Sequence, residues 1–291
     1  MVLKKKTTLF FQIIANLVMD RPRFKVQQGF NLSLCQSNLG KLREKSDMAK
    51  TQHVMLNIMG SSHVGKPEFV RQVQRQFHEG VDTMNKFLHP GLVMGFPGGG
   101  VGDEAVRTEI LRQLKAVAAM NSYQGQICVL VLGTNDASKH SGPDKEEQLE
   151  AFGKMCKDFY LKLLEIPKLF LMPTSLLPRG KQDRYPKRNP NMLPSSEVIR
   201  EVCKEIRKDT YPQRIRFLDL SKDVATASEL VSHPIKGILE GDNVHLTPLG
   251  NRLVVRNLFT GVNRVPSGDL NVELIAKPKP NKRAKKRKNR E

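Results

Sequence analysis

Residues 126–133, QICVLVLG, are apolar without interruption from Ile127 to Leu132 and close on a glycine. An amphipathic helix would break that run every third or fourth residue, and a half-exposed strand every second. A short, continuous apolar run rich in branched side chains fits a central strand of a parallel sheet, buried on both faces. Working outward, HVMLNIMG (53–60) and GLVMGF (91–96) have the same character and end in glycine or just before a glycine-rich turn. KLFLMPTSLLP (168–178) is strand-like but broken by two prolines, and RIRFLDL (214–220) is a last, fifth strand.

Helical patterns separate these strands. Pro67 opens a stretch with Phe69, Val73 and Phe77 on one face. Asp103 and Glu104 stand where a helix start favours acidic groups, followed by Val106, Ile110, Leu114 and Val117. Leu149, Phe152, Cys156, Phe159 and Leu163 repeat at helical spacing. Ser195 and Ser196 are expected to cap a helix carrying Val198, Ile199, Val202, Cys203 and Ile206. Thr247-Pro248 starts a final helix with Leu249, Leu253 and Leu258. Strands alternating with helices predict an α/β fold, a three-layer α/β/α sandwich on a flavodoxin-like, five-stranded, mostly parallel sheet. Such sheets bind ligands beyond the carboxyl ends of their strands.

Charge divides the chain differently. The formal net charge is +19 over 291 residues, but residues 1–50 contribute +7 and residues 277–291 contribute +8. The middle, residues 51–276, holds only +4. The expected organisation is a basic N-terminal extension, partly ordered at most (1–50), an α/β domain (51–265) and a disordered basic tail (266–291). The tail, KPKPNKRAKKRKNRE, suits nuclear import or contact with nucleic-acid phosphates. Lys4–Lys6 and the apolar run after them have the layout of a signal peptide, but Gln12 and Asn16 interrupt the run and Asp20-Arg21-Pro22-Arg23 follows without a small-residue cleavage site. No apolar run reaches the length of a membrane span. Cys128, Cys156 and Cys203 fall on apolar faces, and neither they nor Cys35 shows zinc spacing. They read as buried, reduced thiols and point to an intracellular protein, cytoplasmic or nuclear.

The residues just past the strands carry the chemistry. They are Gly60-Ser61-Ser62-His63, Pro97-Gly98-Gly99-Gly100, Gly133-Thr134-Asn135-Asp136 and, beyond the last strand, Asp242-Asn243-Val244-His245. Together they supply a hydroxyl, amide donors and a base with an orienting carboxylate. These four segments, in this order between about 53 and 260, resemble the four sequence blocks of the SGNH hydrolases, the GDSL-like esterase and lipase superfamily.

The resemblance implies a serine hydrolase that cleaves an ester or acyl group. Ser62 would be the nucleophile, His245 the base and Asp242 its partner. The oxyanion hole would come from the amides of Ser62 and Gly98 and the side chain of Asn135. No metal and no cofactor is implied. The family's nucleophile block usually has aspartate where this chain has Ser61, so Ser61 and Ser62 both stand as candidates, with Ser62 in register. Gly99 is the alternative to Gly98. His63 reads as packing or turn support. The polar, basic loops at 138–148 and 180–194 suit a small or polar substrate rather than a long acyl chain. An alternative reading is a catalytically idle SGNH-like domain serving a nucleic-acid-bound or retroelement assembly. Oligomeric state is not legible.

Overall fold

The computed structural model describes residues 52–78, 86–120, 123–140, 143–177, 192–221, 224, 237–242 and 244–265. The basic extension 1–50 with Cys35, most of the 180–194 loop, Asn243 and the tail 266–291 lie outside the described residues.

Among the described residues four parallel strands form the sheet: β1 (Gln52–Ser61), β2 (Lys86–Phe96), β3 (Gly125–Val131) and β4 (Leu169–Pro173), in the order β2-β1-β3-β4. The helices among the described residues are α1 (Pro67–His78), α2 (Glu104–Ala118), α3 (Thr134–Ala137), α4 (Lys145–Leu164), α5 (Met192–Asp209) and α6 (Pro248–Asn263). Period-two alternation sorts each strand's side chains to two cores. Ile127, Val129 and Val131 of β3 meet Phe69 and Val73 of α1 and Val254, Leu258 and Phe259 of α6. Cys128 and Leu130 meet Ile110, Phe152, Phe159, Ile199 and Val202 of α2, α4 and α5. The sheet is therefore covered on both faces, as the uninterrupted apolar run of β3 requires.

β2 starts earlier than its apolar core and runs through Pro90. It pairs with β1 alone among the described strands, and an edge tolerates a proline that cannot donate to the ladder. The register slips between Leu56 and Ile58, where the buried Asn57 carboxamide accepts from Leu92 N–H at 3.0 Å and donates to Gln126 at 3.1 Å.

The expected fifth strand at 214–220 is not a continuous strand among the described residues. Residues 214–220 run alongside β4 but pair with it only through isolated bridges, Leu171 with Ile215 and Thr174 with Leu218. Pro173 explains the interruption. Leu171 N–H donates to Arg214 C=O at 2.8 Å and Leu218 N–H donates to Pro173 C=O at 2.9 Å, but Pro173 has no N–H to make the bond between them. Beyond it, the Ser175 hydroxyl accepts from Leu220 N–H at 2.9 Å in place of a backbone carbonyl.

The serine cap of the fourth long helix is also corrected. α5 begins at Met192, so Ser195 and Ser196 lie inside its first turns and are buried. Ser196 Oγ accepts from Leu176 N–H at 3.0 Å and Ser195 Oγ contacts His140 Nδ1 at 3.4 Å. Thr247 does cap α6, accepting from Gly250 N–H at 3.2 Å, although Leu249 is exposed rather than in the core stripe. Cys128, Cys156 and Cys203 are free and buried, and burial pushes all three thiols up. Among the described residues no helix is long and apolar enough to cross a membrane.

Candidate active site

Because the strands are parallel, their carboxyl ends share one edge. Gly60 pairs with Gly95 on one side and Val131 on the other, and Ser61 pairs with Phe96. Ser62, Gly98 and Asn135 emerge just past these pairs. The glycines allow the approach: a Cβ on Gly60 would lie 2.5 Å from Val131 O, and one on Gly95 would lie 2.2 Å from Gly65 N.

Ser62 and His63 are the central residues of a turn closed by Val64 N–H to Ser61 C=O at 3.2 Å. The two adjacent serines have different surroundings. Ser61 is 1 % exposed, its Oγ 3.3 Å from His63 Nδ1, whereas Ser62 is half-buried at the turn's outer corner. His63 is itself buried, and its Nε2–H donates to Val244 C=O at 2.7 Å.

Phe96-Pro97-Gly98-Gly99 is a second turn, closed by Gly99 N–H to Phe96 C=O at 3.0 Å. Gly98 has φ 74° with open space where a Cβ would stand, so conformation and not crowding demands glycine. The turn's own bond uses the Gly99 N–H and not that of Gly98. Two amides further on are held by Asp136, whose carboxylate accepts from Val101 N–H and Gly102 N–H, each at 2.7 Å. A Cβ on Gly100 would come within 2.4 Å of that carboxylate. Asn135 Nδ2 donates to Gly99 C=O at 2.8 Å. An amide nitrogen carries two hydrogens, so one remains for a ligand. Asn135 and Asp136 sit on α3, a single turn preceded by Gly133 with φ 116°, where a polar loop is expected from the sequence.

Asp242 and His245 are carried by a narrow loop in front of α6. Leu239 and Leu246 form an antiparallel bridge, Glu240 N–H donates to His245 C=O at 2.7 Å, and Thr247 N–H donates to Ile238 C=O at 2.8 Å. At the tip, Asp242 Oδ1 accepts from Val244 N–H and His245 N–H, each at 2.9 Å, while Oδ2 accepts from His245 Nδ1–H. Partial burial works against ionisation of Asp242. The two backbone amides and the imidazole outweigh it and hold the carboxyl down at about 2. With Nδ1 protonated for Asp242, Nε2 of His245 is left as the basic nitrogen. The ring of His245 lies against that of His63, with centroids 5.5 Å apart.

Glu240, Asp242 and His245 bring ligand-type atoms within 4.8 Å of one another. Such a set could meet a cation, but Asp242 already spends both oxygens, and His245 its Nδ1, on hydrogen bonds. Ser61, Ser62, Gly98, Gly99 and Asn135 therefore lie at one edge of the sheet, and Asp242 and His245 on the loop tied to it. Asp136 and the cross-link made by His63 were not anticipated. The Asn-Asp dipeptide was the signal for the first, and nothing local signals the second.

The model of the GDSL-like lipase/acylhydrolase family matches residues 37–258. Among solved structures, an acetyl xylan esterase, AlAXEase, is 20% identical, with 72% of this chain and 99% of that one covered at a TM-score of 0.49. A lipase/acylhydrolase from Enterococcus faecalis is 15% identical, with 73% and 96% covered and a TM-score of 0.46. A protein described as a putative platelet activating factor from Streptococcus pneumonia is 16% identical, covering 88% and 99% at 0.46. No curated protein sequence matches the chain. The four blocks at one edge of a parallel α/β sheet and the match over most of the chain agree: the protein belongs to the GDSL-like lipase/acylhydrolase family and is an esterase-type hydrolase acting on esters.

Proposed function

We propose that the hydrolysis runs through an acyl-enzyme on Ser62. A serine hydroxyl is a weak nucleophile until a base removes its proton as it attacks. His245 Nε2 takes the Ser62 proton and later gives it to the leaving group. Asp242 fixes the tautomer and balances the imidazolium that forms. The acyl oxygen, negative in the tetrahedral intermediate, is met by the amides of Ser62 and Gly98 and by the free N–H of Asn135. Each such donor contributes about 3 kcal/mol to the transition state. Water then attacks the acyl-enzyme by the same route.

The observation that carries this reading is the double hold of Asp242 on His245, ring and backbone, on a loop tied by His63 to the Ser62 turn. It supports Ser62 over Ser61, because the Ser61 hydroxyl is buried and engaged with His63. Exposed Lys139 and Asp144 on the described part of the loop before α4, and exposed Glu147 in the first turn of α4, support a small or polar acyl group. The three buried free thiols support an intracellular setting. An esterase screen across acyl chain lengths, run on wild type and Ser62→Ala, tests the reading. Turnover is expected to be highest for short acyl groups and to disappear in the variant. A preference for long acyl chains would overturn the substrate class, and full turnover by Ser62→Ala would overturn the nucleophile.

A further inference from the structure

We propose that His63 is the positioning residue for His245. The inference rests on the reading of His245 as the base. The peptide that joins Val244 to His245 is held at both ends: its C=O accepts from His63 Nε2–H at 2.7 Å and its N–H donates to Asp242 Oδ1 at 2.9 Å. Asp242 thus orients the His245 ring through the side chain, and His63 orients the backbone from which that ring projects. A carbonyl only accepts, so the His63 proton sits on Nε2, and Nδ1 is left to accept from the Ser61 hydroxyl at 3.3 Å. The two imidazole rings also pack at 5.5 Å with their planes 49° apart.

Ser61, His63 and Val244 form a link across 181 residues of sequence between the Ser62 turn and the His245 loop. The link is buried, with Ser61 1 % and His63 3 % exposed, so water does not compete for it. Both ends of the proton-transfer pair are therefore referenced to one side chain. A shift of about 1 Å at a reacting group can cost on the order of 10²-fold in rate, which is the scale on which this link acts.

The test compares His63→Leu, His63→Gln and His63→Asn in the full chain. Gln places an amide N–H near the position of Nε2 and keeps the donor to Val244. Asn is too short to reach it, and Leu fills the space without a donor. kcat is expected to fall about 10²-fold in His63→Leu and His63→Asn, with KM nearly unchanged and most of the loss restored in His63→Gln. A second readout needs no turnover: the His245 Nδ1–H proton signal, followed by NMR at low temperature, should be present in wild type and His63→Gln and broadened in His63→Asn. Equal kcat and an unchanged signal in His63→Asn, or a His63→Gln as impaired as His63→Asn, overturns the proposal. If His63→Leu fails to fold, the Gln and Asn pair still decides it. Failure of the base reading is seen separately, as a wild-type protein that neither hydrolyses esters nor carries a label on Ser62.

Discussion

Asp242 holds His245 twice, by its ring nitrogen and by its backbone N–H, with the carboxylate exposed and the imidazole half-buried. Most of the geometry of the site is built this way, with one polar side chain fixing another through main-chain groups.

Asp242→Asn leaves the shape but replaces a charge acceptor by a group that donates or accepts. The Nδ1–H tautomer of His245 loses its partner, and kcat should fall by roughly 10²- to 10⁴-fold with little change in KM. Because the wild-type carboxyl is held down at about 2, it stays ionised through the acid side of the rate profile. Any loss of rate between about pH 4 and 6 then belongs to another group, and rate profiles of both proteins check this.

Asp136 braces the glycine turn through two amides, so its loss leaves two N–H groups without their acceptor. Asp136→Ala is expected to cost about 2–4 kcal/mol in denaturant unfolding and to lower kcat as the turn loosens. Gly100→Ala should do the same by pushing a methyl group into the carboxylate. Gly98→Ala should cost about 1–2 kcal/mol through its positive φ alone.

At the opposite edge of the sheet, His89 Nε2 lies 2.9 Å from His53 Nδ1. Burial first, and the neighbouring His53 second, hold the His89 imidazole down at about 4 from an ordinary 6.5. The unfolded chain then takes up this proton first as pH falls. Stability is full above about 6.5 and declines as pH falls towards 4, by about 1–3 kcal/mol. Urea midpoints across that window should fall less steeply in His89→Gln. A residual slope remains from His140, which burial also holds below its ordinary value.

The strands and helices were legible where a pattern is local and redundant. QICVLVLG could be placed as a central strand because both its neighbours and both its covering layers are apolar. RIRFLDL was read as a fifth strand because its composition says nothing of Pro173, the neighbour that breaks its ladder. Cap preference is local and points to Ser195 and Ser196 as caps, whereas their actual partners, His140 and Leu176, come from other elements. The site shows the same division. Ser62, Gly98, Asn135, Asp242 and His245 could be named from motif order, while the roles of Asp136 and His63 depend on backbone groups 34 to 181 residues away.

The most direct measurement of the central claim is labelling by a fluorophosphonate probe, with the modified residue mapped by mass spectrometry. Wild type and Ser61→Ala are expected to carry the label on Ser62, and Ser62→Ala to carry none. Labelling that survives Ser62→Ala, or none on the folded wild-type protein, would contradict the account.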